Sequence, residues 1–313
     1  MSNTYLVTGG AGFIGGHLAH RLVELGHTVR VIDNLSTGRR ENLTDIMDRI
    51  TFIEGDITDG EVMARAVDGA DYVLHQAALP SVPRSVADPI TTDWNNTRGT
   101  LTVLVAARDA KVKRVVQACS SSAYGDTPTL PKVETMQRAP LSPYACSKAV
   151  GELYGCAFHA TYGLEYVGLR YFNVFGPRQD PKSQYAAVIP KFITAYLKGE
   201  PPTVFGDGTQ SRDFAFIDNV IQANLKACTA AGAPGKIFNI ACGERIDLLG
   251  VLNQLAEIFG KRVEPVFDPS RAGDVKHSLA DIGLARKILG YEPEVKFAEG
   301  LRRTVEWYRT NAA

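Results

Sequence analysis

The segment TGGAGFIGG, residues 8–16, constrains the fold of this chain more than any other stretch. It follows a short apolar run, TYLVTG (4–9), and opens a stretch with helical spacing, GFIGGHLAHRLVELGH (12–27). Gly9, Gly12 and Gly15 set the spacing G-x-x-G-x-x-G across a strand-to-helix turn, with Phe13 and Ile14 between the last two. Glycine lets such a turn tighten and lets the backbone approach a pyrophosphate, while the N–H groups that start the helix point at its charge. A lone glycine triad is equally compatible with a purely structural turn. Here a strand precedes it and a helix follows it, and Asp33 closes the next apolar run, TVRVID (28–33), 18 residues after Gly15. That context favours a dinucleotide site.

An acidic residue at the position of Asp33 accepts hydrogen bonds from the adenosine ribose hydroxyls and repels a 2′-phosphate, which favours NAD over NADP. Asn34, Ser36, Thr37 and Gly38 follow it into the same candidate site. Arg39 and Arg40 supply the alternative, since a basic pair can accommodate a 2′-phosphate; otherwise they form a solvated loop face. Asp56 and Ile57 end the third apolar run and are expected to flank adenine, with Asp56 accepting its amino hydrogens. Gln76, Ala77, Ala78 and Tyr171 end later runs and join the cofactor set.

Strand and helix patterns alternate through the first half of the chain. Strand-like runs at 4–9, 28–33, 50–56, 70–78, 112–122 and 164–176 are separated by amphipathic stretches, among them a long helix expected over TTDWNNTRGTLTVLVAARDA (91–110). This alternation predicts an α/β fold with a doubly wound parallel sheet, whose ligands bind outside the carboxyl ends of the strands. Those ends are Gly9, Asp33, Asp56, Gln76, Ser120–Ser122 and Tyr171–Asn173, which are glycine or polar at every one except Phe172. After Gly176 the chain becomes rich in Pro and Gly, with one helix expected over 184–198. A further helix and the strand KIFNIAC (236–242) are expected to return to the sheet. The expected layout is an NAD-binding domain over 1–176 joined by 213–242, and a smaller mixed α/β substrate lobe from 177–212 and 243–313.

Composition removes several alternatives. Lys plus Arg equals Asp plus Glu at 34 each, so no overall basic field favours nucleic acid or an anionic membrane. Five cysteines, at 119, 146, 156, 228 and 242, lack metal-ligand spacing; Cys119 and Cys242 read as small buried residues, and no metal is expected. The N-terminus shows no signal-peptide pattern, and no apolar run approaches the roughly 18–20 residues of a membrane span. A soluble cytoplasmic protein is expected.

SPYACSKAV (142–150) carries the chemistry. Ser142 suits an N-cap and Pro143 a first helical position, which places Tyr144 and Lys148 one helical turn apart on one face. Taken alone, the segment fits a solvated amphipathic helix with an ordinary Tyr and Lys.

TGGAGFIG, SSSAYGD, SPYACSKAVGE, RYFNVFGPRQDP, DGTQSRDFAFIDN and RAGDVKHS, in this order along nearly the whole chain, resemble the extended short-chain dehydrogenase/reductase family. Within it they are most similar to the UDP-hexose 4-epimerases, especially the branch acting on UDP-N-acetylhexosamines. The resemblance implies that Tyr144 is the catalytic base and that Lys148 favours its ionised form and holds the nicotinamide ribose. It further implies that Ser122 bonds the sugar 4-hydroxyl and relays a proton, with Ser120 and Ser121 either structural or lining the pocket. The implied reaction oxidises C4 to a transient ketone and reduces it from the opposite face, so NAD is regenerated. Dehydratases and decarboxylases of the family place carboxylates beside the catalytic hydroxyl, where this chain has Ser122-Ala123-Tyr124.

For the substrate, the resemblance implies contacts from Ser81, Asn173, Ala187, Val188 and Lys191, and from the uracil-contacting run Thr203, Val204 and Phe205. Arg212, Arg271 and Asp274 are implied as diphosphate and ribose ligands, and Ser278 as a size gate that admits a 2-acetamido group. Pro80 departs from the glycine common in related N-acetylhexosamine epimerases. A UDP-glucuronate decarboxylase or 4-epimerase is the second hypothesis, and a non-catalytic NAD(P)-binding regulator the third. A homodimer is implied through helices near 92–108 and 143–160, whose apolar faces are alternatively buried within one chain.

Overall fold

The computed structural model describes residues 2–181, 187–269 and 275–311. The first half builds β1 (Thr4–Thr8), α1 (Phe13–Glu24), β2 (Thr28–Asp33), β3 (Thr51–Glu54), α2 (Gly60–Val67), β4 (Tyr72–His75), α3 (Val82–Ala87), α4 (Pro89–Asp93), α5 (Gly99–Asp109), β5 (Arg114–Ser120), α6 (Pro143–Tyr162) and β6 (Tyr166–Tyr171). A 3₁₀ segment, Arg40–Arg49, links β2 to β3. The remainder adds β7 (Val174–Phe175), α7 (Val188–Lys198), β8 (Thr203–Phe205), β9 (Ser211–Arg212), β10 (Ala215–Phe216), α8 (Ile217–Thr229), β11 (Lys236–Ile240), β12 (Ile246–Asp247), α9 (Leu248–Phe259), β13 (Val266–Asp268), α10 (Gly283–Leu289) and α11 (Phe297–Asn311).

Seven strands form one parallel sheet in the order β11-β6-β5-β4-β1-β2-β3, the doubly wound architecture that the alternating pattern predicts. Its central strands are buried on both faces, which explains their unbroken apolar runs. On one face, Leu18 and Leu22 of α1 pack with Val220 and Ala223 of α8 in a core that continues into the smaller mixed α/β lobe. On the other, Met63 of α2, Leu104 of α5 and Phe158 of α6 close a second core. β11 joins the sheet edge beside β6, so the chain does return to the sheet after α8. Strand order reverses between β1 and β4, and this switch point opens the crevice in which such sheets bind ligands.

Two local departures bear on the site. The long helix expected over 91–110 is helical throughout, but a π turn, Trp94–Arg98, separates α4 from α5. Within that turn Asn96 bonds the backbone of Leu79 through both ends of its amide, at 2.7 and 3.2 Å, and donates to Ser147 Oγ at 3.0 Å. The bulge thus fixes the Leu79–Ser81 loop to α6, a use typical of π turns near functional sites. Of the helix expected over 184–198, α7 covers Val188–Lys198, and residues 184–186 lie outside the described residues. Among the described residues, no helix is long and apolar enough to cross a membrane, and no group of three or more His, Cys, Asp or Glu could hold a metal ion.

Candidate active site

A cleft of about 1930 Å³ opens along the carboxyl ends of the strands. Its walls include Gly9, Gly12, Phe13, Ile14, Gly15, Asp33, Asn34, Ser36, Thr37, Gly38, Ile57, Gln76, Ala77, Ala78, Ser81, Tyr144, Lys148, Tyr171 and Ala187 of the residues expected from sequence.

The glycine loop fits a dinucleotide pyrophosphate. A Cβ on Gly15 would lie 2.2 Å from the Gly9 carbonyl oxygen, so only glycine lets α1 approach the turn this closely. Gly12 is the N-cap of α1 and supplies no capping side chain, and the first turn carries no acidic residue. The first N–H groups of the helix therefore face the cleft with their partial positive charge available to an anion.

Asp33 ends β2 and is only 6% exposed; its Oδ2 accepts from Ala11 N at 3.0 Å and its Oδ1 from Leu35 N at 2.8 Å. Burial pushes its carboxyl above the usual range, against the pull of these two N–H groups. A Cβ on Gly38 would fall 2.7 Å from Asp33 Oδ2, so glycine allows the loop to fold onto the carboxylate. The arginines that could have served a 2′-phosphate are each paired with a carboxylate: Arg39 with Asp180 at 2.6 Å, and Arg40 with Glu54 at 2.5 Å while it lies over the Phe52 ring.

Asp56 does not line the cleft. Its Oδ1 accepts from the N–H and hydroxyl of Thr58 at 2.8 and 2.7 Å, and its Oδ2 from Asn34 Nδ2 at 2.8 Å. Burial opposes its ionisation, but the Thr58 and Asn34 donors outweigh it and hold the carboxyl below its ordinary value. The Asp-x-Thr turn and Asn34 thus fix the orientation of the carboxylate that the sequence assigns to adenine, and of the pair Ile57 is part of the cleft wall.

The floor beneath β4 and β6 is a hydrogen-bonded cluster. Tyr171 Oη donates to Gln76 Oε1 at 3.1 Å, and Asn224 Nδ2 of α8 donates to Tyr171 Oη at 2.8 Å. Asn224 is fully buried, and nothing in its local sequence, a helix face among apolar residues, marks it for the site.

Helix α6 begins as its sequence demands: Ser142 Oγ accepts from Ala145 N at 3.2 Å, and Pro143 fills the first turn. Lys148, 7% exposed, donates from Nζ to the Ala118 carbonyl at 2.8 Å. Burial pulls its ammonium down to about 8, with Cys119 and Glu152 opposing. Burial pushes the Tyr144 phenol up, and the hydrogen bond with Ser120 works the other way. Ser120, the last residue of β5, is thus beside the phenol, and Ser122, which the resemblance implies as the catalytic serine, is bonded to it. Ser122 lies in the following 3₁₀ turn, Ser121–Tyr124, and donates to Ser120 Oγ at 2.8 Å.

Behind the site, Glu152 of α6, one turn beyond Lys148, is fully buried between two arginines. Arg170 of β6 grips it with Nε at 2.8 Å and Nη2 at 2.7 Å, and Arg138 donates at 2.7 Å. The Arg170 guanidinium stacks 4.5 Å from the Tyr124 ring centre. This triad ties the helix of the Tyr–Lys pair to the strand beside it.

In the smaller lobe, Asn173 adopts a φ of 25° and donates to Ser278 Oγ at 3.2 Å and to the Asp213 carbonyl at 3.1 Å, so the structure joins two expected substrate residues. Ser81 caps α3 and reaches the cleft. Val188 and Lys191 lie on α7, Thr203–Phe205 form β8 paired with β13, and Arg212 lies on β9, where it donates to the Lys276 carbonyl at 2.9 Å. None of these positions on α7, β8 and β9, nor Asn173, Ser120, Ser121, Ser122 or Ser278, belongs to the described cleft wall. Arg271 and Asp274 lie outside the described residues.

Comparison with known proteins places the chain in context. Residues 5–241 match the model of the NAD dependent epimerase/dehydratase family. The structure is similar to a UDP-N-acetylglucosamine 4-epimerase from Methanobrevibacter ruminantium M1 in complex with UDP-N-acetylmuramic acid, at 41% identity, TM-score 0.94 and 99% coverage of both chains. It is similar to a UDP-glucose 4-epimerase from Thermotoga maritima with UDP-glucose, at 40% identity and TM-score 0.95, covering 99% of this chain and 100% of that one. It also resembles a UDP-glucose 4-epimerase from Thermus thermophilus in complex with NAD, at 37% identity and TM-score 0.90, covering 98% and 99%.

Proposed function

The chain belongs to the NAD dependent epimerase/dehydratase family, and from that premise we propose that it inverts C4 of a UDP-hexose with NAD as its resident cofactor. The observation that carries this reading is the Tyr144–Lys148 pair on α6, set against the end of β5 in the cleft that holds the glycine loop and Asp33. When bound, the nicotinamide supplies reversible two-electron oxidation at the sugar carbon. Tyr144 Oη takes the proton of the 4-hydroxyl and later returns it. The Lys148 ammonium favours the phenolate that this requires, and Ser122 bonds the 4-hydroxyl and relays the proton, its Oγ hydrogen-bonded to the Ser120 hydroxyl beside the phenol. With Ala123 and Tyr124 following Ser122, no carboxylate stands there to drive elimination. Asp33 receives the adenosine ribose hydroxyls, and the N-terminus of α1 receives the pyrophosphate.

The substrate side follows the same logic. We assign residues 1–176 with 213–242 to the cofactor and 177–212 with 243–313 to the UDP-sugar. Asn173 and Ser278 border the sugar, and Arg212, Arg271 and Asp274 serve its nucleotide. A serine at 278 leaves space for a 2-acetamido group, so UDP-GlcNAc and UDP-GalNAc are substrates alongside UDP-glucose and UDP-galactose. Ser278→Tyr is expected to lose at least ~10-fold in kcat/KM on the acetylated sugars, about 1.4 kcal/mol, while retaining the plain ones. Product separation after incubation with each UDP-sugar checks this; equal losses on both types remove Ser278 from substrate selection. The same panel with UDP-glucuronate tests the decarboxylase, which would release CO₂.

A second copy of the chain is the proposed partner. Ile90 of α4, Trp94 of the π turn, and Leu153 and Tyr162 of α6 are exposed large apolar side chains on the helices implied to form a four-helix bundle. Sedimentation at micromolar concentration is expected to show a dimer that Leu153→Lys weakens; a wild-type monomer contradicts it.

A further inference from the structure

We propose that residues 177–181 form a latch that retains NAD, with Arg178 and Asp180 as its two fastening points; the inference rests on the cofactor assignment above. The segment follows β7 and Gly176, and its side chains meet the 3₁₀ segment Arg40–Arg49; both contribute to the cleft wall. Arg178 Nη1 lies 2.8 Å from His20 Nε2 and donates to the Asn42 carbonyl at 3.0 Å, while its Nη2 donates to Asp45 Oδ2 at 3.2 Å. Asp45 Oδ1 in turn lies 2.7 Å from His20 Nε2. Two residues on, Asp180 accepts from Arg39 Nη2 at 2.6 Å. On the opposite side, Tyr308 of α11 donates to the Gln179 carbonyl, which ties the segment to the smaller lobe.

The fastening leads directly to the glycine loop. Arg39 N and Asn42 Nδ2 both donate to the Ala11 carbonyl, at 2.9 and 2.8 Å, and Ala11 N donates to Asp33 Oδ2 at 3.0 Å. The segment therefore braces the residues on either side of Ala11 through the same 3₁₀ segment that packs on the cradle. Arg178 itself has a φ of 64°, a left-handed conformation that a non-glycine residue keeps only where its surroundings impose it. Burial works against the Asp45 carboxylate, yet His20 and Arg178 hold it down to about 2, as expected of a carboxylate at the centre of this cluster. None of these side chains is needed for proton transfer. They act as positioning residues whose function is to slow cofactor departure.

The test reads NAD release from the purified holoenzyme, with no sugar present, by rapid desalting and quantitation of bound NAD over time. Arg178→Ala is expected to release NAD about 10-fold faster, the scale of losing charge-assisted hydrogen bonds. Asp180→Arg sets two like charges together and is expected to speed release by a similar factor, and the exchanged pair Arg39→Asp with Asp180→Arg to restore it to within about 3-fold of wild type. kcat at saturating NAD should remain close to wild type in all three. Unchanged release in the two single variants, or an exchanged pair that fails to restore it, overturns the latch. A fall in kcat at saturating NAD without faster release also overturns it. A wild type that holds no NAD instead overturns the cofactor assignment.

Discussion

Tyr144→Phe is expected to lower kcat by about 10³-fold while leaving the fold and the retained NAD unchanged, within the range that a positioned general base contributes. The substitution removes one oxygen from a side chain held between α6 and Ser120 and changes little volume. The sign of the pH dependence follows from the same environment. Burial pushes the phenol up, so the active phenolate is the form that rising pH populates, and wild-type kcat should climb on its acid limb. The Phe variant, having no phenol to ionise, should lose that limb. Steady-state kinetics across pH check both points; near-wild-type turnover, or an unchanged acid limb, would remove Tyr144 from the chemistry.

The second large effect is on stability. Glu152→Ala should destabilise the protein by about 3–5 kcal/mol, the cost of stranding a buried charge without its partner. Arg170 is 1% exposed and Glu152 0%, so water cannot reach the guanidinium that the carboxylate now neutralises. Among the described residues, Arg170 Nη1 has no hydrogen-bond partner even with Glu152 present, and the guanidinium stacks on the Tyr124 ring. Glu152→Gln keeps the shape and one acceptor and should cost less than Ala. Denaturant midpoints of the three proteins decide the matter, and an unchanged midpoint in Glu152→Ala would show that the triad adds nothing. The triad also sits one turn from Lys148, so its loss should disturb the helix that presents the Tyr–Lys pair.

The parallel sheet was legible because its strands are buried on both faces and therefore read as apolar runs separated by amphipathic helices. The glycine loop, Asp33, Tyr144 and Lys148 were legible because their spacing encodes a local geometry: a strand-to-helix turn in one case, one helical turn in the other. The bond of Ser120 to the Tyr144 phenol was not legible, since three consecutive serines look alike until the fold sets them against α6. The bonds that Asp56 already makes were legible in part. Thr58, two residues on, is the usual donor to an Asx turn, and its N–H and hydroxyl both bond Asp56 Oδ1. Asn224, and the bond between Asn173 and Ser278, join residues tens of positions apart. Only the assembled fold brings them together. The π turn at Trp94–Arg98 left no mark in the helical pattern because it shifts the register by a single residue and leaves both flanking helices intact.

The central claim is that C4 is oxidised and re-reduced by one cofactor that never leaves the cleft. It is tested most directly by supplying UDP-glucose deuterated at C4 and following both epimers by NMR. The account predicts a mixture of the two C4 epimers, with deuterium kept at C4 in the product, no label lost to water, and no dependence on added NAD once the holoenzyme is full. Loss of the deuterium to solvent during inversion, or the absence of the second epimer with every UDP-hexose supplied, would contradict it.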